Sequence, residues 1–299
     1  MKILLLGKTG QVGIELQRTL LPLGELIALG RAEADLARPT TLLEVLEAHS
    51  PDVIVNAAAY TAVDKAEANS EMAHAINAES VSVIAQYARA RDALLVHYST
   101  DYVFDGAKAS PYEPADTTNP LSVYGRTKRE GEEAIVASGC RFLLLRTSWV
   151  FSAHGSNFLK TILRLAKERD ELNIVDDQYG APTSAELIAD VTALAITGHR
   201  QGLCNTGIYH LTAAGQTTWH GFACHIVARA AANGARIRAT PELIRPIPTE
   251  AYPLPARRPK NSRLGTSALS DALLLQFPDW TVHANRTVDQ MTTSMEYPL

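Results

Sequence analysis

Lys2-Ile-Leu-Leu-Leu-Gly-Lys-Thr-Gly-Gln-Val-Gly13 opens the chain, and its reading decides the architecture. Ile3–Leu6 is a short apolar run stopped by glycine, the pattern of a strand buried on both faces of a parallel sheet. Val12, Leu16, Leu20 and Leu21 then recur at helical spacing, which predicts a helix over Val12–Leu21. Gly7, Gly10 and Gly13 lie at the junction. Glycines there permit a tight turn, close approach of a pyrophosphate, and close packing of helix on strand. The helix N-terminus adds free N–H groups and the positive end of its dipole. Strand, glycines and helix in this order point to dinucleotide binding; the plainer reading is a glycine-rich turn. The spacing Gly-x-x-Gly-x-x-Gly differs from the Gly-x-Gly-x-x-Gly of the commonest dehydrogenases. It is not a nucleotide-triphosphatase loop either, because Lys8 precedes the last glycine.

Outward from this stretch, strands and helices alternate. Strands are expected at Leu26–Leu29, Asp52–Asn56, Leu94–Tyr98 and Phe142–Leu145, and helices at Thr41–Ala48, Ala73–Arg91 and Val123–Val136. That order predicts an α/β fold, a doubly wound parallel sheet of the Rossmann kind occupying residues 1–150. After Trp149 the pattern loosens. Helices are expected at Asn157–Lys167, Ala185–Ile196 and Trp219–Ala232, with a short strand at Tyr209–Leu211. Pro241, Pro246, Pro248, Pro253, Pro255 and Pro259 suit loops wrapping a ligand. Residues 151–299 are therefore read as a smaller, mainly substrate-binding region, partly interleaved with the first.

Of 299 residues, 46% are hydrophobic and 20% charged, enough apolar material for a substantial core. A formal net charge of −4 argues against a nucleic-acid partner. Cys140, Cys204 and Cys224 are scattered, which disfavours a disulfide framework or a cysteine-based zinc site. No segment has the length of a membrane span or a signal peptide. The expectation is a cytoplasmic protein.

Chemistry is suggested by Tyr124 and Lys128, four apart on an expected helix and hence on one face. An ammonium beside a phenol favours the phenolate, so Lys128 is expected to lower the Tyr124 pKa and make the phenol a proton donor. Thr100 ends a strand, where this architecture binds ligands, and can donate to a carbonyl oxygen. The second strand ends Leu29-Gly30-Arg31, with no acid to hold a ribose 2′-hydroxyl. Arg31 either contacts a 2′-phosphate, favouring NADPH, or is an exposed surface arginine. Asp35 and Leu36 are candidates to flank an adenine.

Together, Gly7/Gly10/Gly13, Asn56-Ala-Ala-Ala59, Ser99-Thr-Asp101 and Tyr124-x-x-x-Lys128 resemble the extended short-chain dehydrogenase/reductase superfamily. Thr61-Ala-Val-Asp-Lys-Ala-Glu67, His97-Tyr-Ser-Thr-Asp-Tyr-Val-Phe104, Arg146-Thr-Ser-Trp149, Asp177-Gln-Tyr-Gly-Ala-Pro-Thr183 and Arg258-Pro-x-x-Ser-x-Leu264 resemble, more narrowly, the dTDP-4-dehydrorhamnose reductase family. The resemblance runs nearly end to end.

It implies an NAD(P)H-dependent oxidoreductase that reduces a C4 ketone, with a nucleotide sugar (dTDP-4-dehydro-6-deoxy-L-mannose) as substrate. NADPH is the implied cofactor, NADH the alternative. Tyr124 would protonate the alkoxide, Thr100 would hydrogen-bond it, and Lys128 would bind the nicotinamide ribose. Gln11, Val12, Ala59, Tyr60, Thr61 and Tyr98 would line the cofactor. Thr100, Asp101 and Trp149 would face the sugar, with Val63 and Tyr102 nearby. Asn157, Gln178, Thr183 and Arg258 are further nucleotide-sugar candidates; Trp149 as plain core and Arg258 as a surface charge are the plainer readings. The same resemblance implies a homodimer with Mg²⁺ held by Glu15, Glu186 and Asp190, against the alternative of solvated helix carboxylates. A dehydratase is disfavoured because Tyr102, not a second acid, follows Asp101. An epimerase would need further acid/base groups, and a regulatory cofactor-binding subunit would not need the intact Thr100, Tyr124 and Lys128.

Overall fold

The computed structural model describes residues 1–293. The first half runs β1 (Lys2–Leu6), α1 (Gln11–Leu20), β2 (Glu25–Leu29), α2 (Pro39–His49), β3 (Val53–Asn56), α3 (Val63–Ala68), α4 (Ser70–His74), a π-helical turn Ala75–Glu79, α5 (Ser80–Ala90), β4 (Leu94–Thr100), α6 (Val123–Ser138) and β5 (Arg141–Thr147). The second half runs β6 (Val150–Phe151), α7 (Phe158–Glu168), β7 (Leu172–Val175), β8 (Tyr179–Gly180), β9 (Thr183–Ser184), α8 (Ala185–Arg200), β10 (Gly207–His210), β11 (Thr217–Thr218), α9 (Trp219–Ala232), β12 (Ile244–Ile247), α10 (Ser267–Leu273) and α11 (Trp280–Thr293).

Six strands form one parallel sheet in the order β10-β5-β4-β3-β1-β2. Alternate side chains enter opposite cores. Ile3, Leu5, Val53, Val55, Leu94, Val96, Leu143 and Leu145 face a cluster shared with α1, α7, α8 and α9. Leu4, Leu6, Ile54, Leu95, Phe142 and Leu144 face one shared with α2, α5 and α6. Burying each such side chain contributes roughly 1.5–3 kcal/mol, so both faces must be covered. This is the expected doubly wound sheet. The connection from β1 goes outward to β2 and then returns to β3 on the other side of β1. That reversal opens a crevice at the carboxyl ends of β1 and β3.

Three expectations are corrected. The helix expected over Ala73–Arg91 is a helical stretch interrupted by the π turn, a form often found beside functional sites. The proline-rich stretch is not all loop, because Ile244–Ile247, Pro246 included, pairs in parallel with β7. And the short strand from the C-terminal half extends the sheet at its edge, beside β5. Among the described residues no helix is long and apolar enough to cross a membrane.

Candidate functional site

A cleft of about 680 Å³ opens at the carboxyl ends of the strands. Its walls include Gly7, Gly10, Gln11 and Val12 from the first turn, Arg31, Asp35 and Leu36 after β2, and Ala59, Tyr60, Thr61 and Val63 after β3. Tyr98, Thr100, Asp101 and Tyr102 at the end of β4, Tyr124 and Lys128 on α6, and Trp149 and Asn157 beyond β5 complete it.

The glycine turn fits a dinucleotide. Gly7 has φ +89°, and a β-carbon there would fall 2.8 Å from the Ala58 amide nitrogen. Gly13 does not line the cleft; its β-carbon would fall 2.0 Å from the Gly7 carbonyl oxygen, so its part is to let α1 pack on the turn. Gly10 caps α1 without any side chain, leaving the first helical N–H groups facing the cleft. After β2, Glu33 is occupied by the Lys8 ammonium and the Gly30 N–H. The groups left at the cleft are Arg31, 75% exposed and 3.3 Å from Asp35, together with Asp35 and Leu36.

The π turn carries Asn77, which sequence reasoning missed. Its Oδ1 accepts the Tyr60 N–H at 2.8 Å, and its Nδ2 donates to the Tyr60 carbonyl and to Thr127. Asn77 thus ties the loop after β3 to α6. The start of α6 is fixed by Ser122, whose hydroxyl accepts the Gly125 N–H, and by Glu67, which accepts the Val123 N–H. Tyr124 therefore sits in a first turn pinned from two sides.

Tyr124 is buried, and burial pushes its pKa up to about 12, with the Thr100 hydroxyl pulling the other way. The expected lowering by Lys128 is not found. Lys128 Nζ instead donates to the Tyr98 carbonyl at 2.7 Å and lies 3.0 Å from His97 Nε2. Desolvation lowers Lys128 to about 8. Tyr98 spends its own hydroxyl on Thr192 of α8 and contributes its backbone to the site.

Thr100 Oγ1 accepts the Tyr102 N–H and donates to Asp101 Oδ1 at 3.0 Å. Burial lifts Asp101 to about 6, opposed first by the nearby Ser262 hydroxyl. Asp101 Oδ2, Ser99 Oγ and Thr147 Oγ1 are buried cleft-lining atoms with no hydrogen-bond partner in the protein. Ser99 and Thr147 were not singled out in the sequence; only their places at strand ends mark them. Such orphaned polar atoms suit a polyhydroxylated ligand. Tyr102 and Tyr124 meet edge to face at 5.5 Å.

Other sequence candidates have different partners. Arg258 is no free surface charge: it pairs with Asp64 of α3 at 2.8 Å, at the margin of the site. Asn157 caps α7 and donates to Gln11 Oε1 at 2.8 Å. Gln178 and Thr183 do not line the cleft. Gln178 bonds Thr249 and the Trp219 indole, and the fully buried Thr183 bonds the Ala181 carbonyl and the Ala213 N–H. Trp149 is not plain core. It lines the cleft with a left-handed backbone, φ +50°, a strain of about 1–3 kcal/mol that surroundings must hold in place. The carboxylate trio does not assemble as a metal site. Asp190 is taken by Arg18 at 2.9 Å and Glu186 by Arg286 at 3.2 Å. Among the described residues no three His, Cys, Asp or Glu are grouped to hold an ion.

A glycine turn at the sheet's reversal, with a buried phenol, hydroxyl and lysine one strand away, places the chain in the class of extended short-chain dehydrogenase/reductase folds. Within that class it belongs to the family described as RmlD substrate binding domain, which matches residues 1–293. It is similar to the dTDP-4-dehydrorhamnose reductase of Burkholderia thailandensis, with 53% identity over 94% of this chain and 95% of that protein. Among solved structures it resembles the dTDP-4-dehydrorhamnose reductase of Clostridium acetobutylicum, with a TM-score of 0.88, 34% identity, and 97% and 99% of the two chains covered. It also resembles that of Bacillus anthracis in complex with NADP, with a TM-score of 0.86, 30% identity and the same coverage.

Proposed function

We propose that this chain is an NAD(P)H-dependent reductase that converts the C4 ketone of dTDP-4-dehydro-β-L-rhamnose to the alcohol of dTDP-L-rhamnose. The observation that carries this reading is the convergence of Thr100, Asp101, Tyr124 and Lys128 on one cleft that begins at the glycine turn. The named relatives, and the NADP in one of them, support it.

A reduced nicotinamide, when bound, supplies the hydride that a carbonyl carbon accepts. The chain's own residues do the rest. The turn at Gly7 and Gly10 and the N-terminus of α1 hold a pyrophosphate, and Arg31 offers its guanidinium to a 2′-phosphate. Tyr124, with its pKa near 12, keeps its proton through the neutral range and gives it to the carbonyl oxygen as negative charge develops there. The Thr100 hydroxyl can rotate from Asp101 to that oxygen, since its hydrogen is free to turn about the C–O bond. Lys128 is placed to meet a ribose hydroxyl from the Tyr98 side. We assign dinucleotide binding to residues 1–150 and substrate binding mainly to 151–299.

The reading is tested by NADPH oxidation with dTDP-4-dehydro-rhamnose, run beside GDP- and UDP-linked 4-keto sugars. Turnover preferring the dTDP sugar is expected. Equal turnover of all three, or none, would overturn the assignment.

A further inference from the structure

Trp149 is the one aromatic residue among the described residues with a left-handed backbone. A bulky side chain rarely adopts that conformation unless its surroundings impose it. Three contacts impose it here. The Trp149 carbonyl accepts the Thr183 N–H at 3.2 Å. One face of its indole stacks on Trp219, with ring centroids 3.6 Å apart and planes 11° from parallel. Against the ring also lies Gly180, where a β-carbon would fall 2.5–2.9 Å from three indole carbons. Trp219 is held in turn. Its Nε1 donates to Gln178 Oε1 at 3.2 Å, Phe158 packs on it at 4.6 Å, and Thr218 caps the helix it begins. Trp149 lines the cleft, whereas Trp219 does not.

We propose that Trp219 is a positioning residue for substrate recognition: it clamps Trp149 against Gly180, so that the indole becomes a fixed wall setting the width of the sugar subsite. The ring stacked between Trp219 and Gly180 has little freedom to turn. A wall of that kind discriminates by shape, against sugars with an additional substituent on the ring. This inference rests on the nucleotide-sugar reading above. It adds the residue that enforces the selectivity, and it explains why Gln178 and Thr183 are built as they are. Both act on the stack rather than on the ligand.

The test compares Trp219→Ala and Trp219→Phe with the unaltered protein. Trp149, Trp219 and Trp280 are the three tryptophans of the chain. The stacked pair should give an exciton couplet in near-ultraviolet circular dichroism, lost in both variants. Trp219→Ala should raise KM for the 4-keto-6-deoxy sugar nucleotide by roughly 10- to 100-fold, the scale set by a misplacement of about 1 Å. Its kcat and its NADPH Kd should stay near the parent values, and its preference over a 4-keto sugar retaining the 6-hydroxyl should shrink. Trp219→Phe, which can still stack, should recover most of the KM. An unchanged KM in Trp219→Ala, or equal losses in Ala and Phe, or a matching loss of NADPH affinity, would overturn the clamp. A parent protein that turns over no keto sugar would instead overturn the substrate reading, while the couplet and NADPH titration still report on the stack. Should Trp219→Ala not fold, Gly180→Ala, which intrudes on the indole from the other side, must reproduce the KM effect or the clamp is wrong.

Discussion

Lys128 Nζ lies 3.0 Å from His97 Nε2, with both side chains about 1% exposed. The far nitrogen of the ring, Nδ1, is 3.2 Å from Asn56 Nδ2, and the Asn56 amide is oriented because its Oδ1 accepts the Ala58 N–H. Nδ1 must then accept. Burial holds His97 neutral, well below its usual pKa, so its single N–H is assigned to Nε2 and points at Lys128. The lysine meets it as a neutral amine, consistent with its fall to about 8 from the usual 10.5.

The sign of the pH dependence follows. Unfolded lysine binds its proton up to 10.5, while the folded side chain gives it up near 8. Stability of the cofactor-free protein should therefore rise as pH climbs from about 8 towards 10, and fall as pH drops through 8. Lys128→Met removes the group and should flatten this part of the curve. Urea midpoints taken across that window measure it; parallel curves for parent and variant would refute the neutral-amine assignment.

Tyr124→Phe removes the proton donor and little else, because the ring still meets Tyr102 edge to face. Turnover should fall by roughly 10²–10⁴, with NADPH Kd nearly constant. Stopped-flow reduction and fluorescence titration separate the two. A variant that turns over at the parental rate would remove Tyr124 from the proton step.

How far this site was legible follows from where each signal lies. The glycine turn, the strand ends and Tyr124–Lys128 are local patterns, and each sits in the cleft. The interruption at Ala75–Glu79 was hidden because apolar spacing alone cannot tell a π turn from continuous α-helix. Pro246 was misread because a parallel edge strand tolerates proline where its N–H is not needed. The pairing of Lys128 with His97 rather than with Tyr124 depends on β4 passing beneath α6, which no spacing within α6 encodes. Gln178 and Thr183 lie in a recognisable segment, but their service to Trp149 and Trp219 is a long-range contact.

Arg31→Ala should weaken NADPH far more than NADH. Glu33, the carboxylate nearest the end of β2, is engaged by Lys8 and the Gly30 N–H, and Arg31 is the charged group left open at that margin. A charge-assisted hydrogen bond contributes about 1.5–3 kcal/mol, so the NADPH Kd should rise by roughly 10- to 100-fold. Calorimetric titration of both cofactors decides it. Equal losses would place the 2′-phosphate elsewhere.

Asp101→Asn should separate stability from activity. A carboxyl lifted to about 6 in the folded state favours folding below its usual 3.8, and that contribution is lost as pH rises through 6. At neutral pH the buried charge costs on the order of 2–3 kcal/mol, which the amide avoids. The variant should be more resistant to urea at pH about 7 and lose that advantage near pH 4. Its kcat/KM should fall, since an acceptor facing the substrate becomes partly a donor. A destabilised variant at neutral pH would show that the carboxylate is better solvated than its burial implies.

Glu132 lies one turn beyond Lys128 on α6 and receives Arg146 of β5 in a two-pronged pair, at 2.9 and 2.7 Å, with both side chains almost fully buried. The guanidinium also bonds the Pro114 carbonyl and lies 5.0 Å over Phe104. Removing one partner strands a buried charge, which typically costs 3–5 kcal/mol, whereas removing both with apolar replacement of similar size can be nearly neutral. Glu132→Gln should therefore lower the urea midpoint strongly, and Glu132→Gln combined with Arg146→Met should recover part of the loss. Glu132 also raises the pKa of Lys128, so its loss should move the lysine further below 8 and shift the pH window above to lower values. A double variant no more stable than Glu132→Gln, with that window unmoved, would show that the pair fastens α6 to β5 without bearing on the lysine beside it.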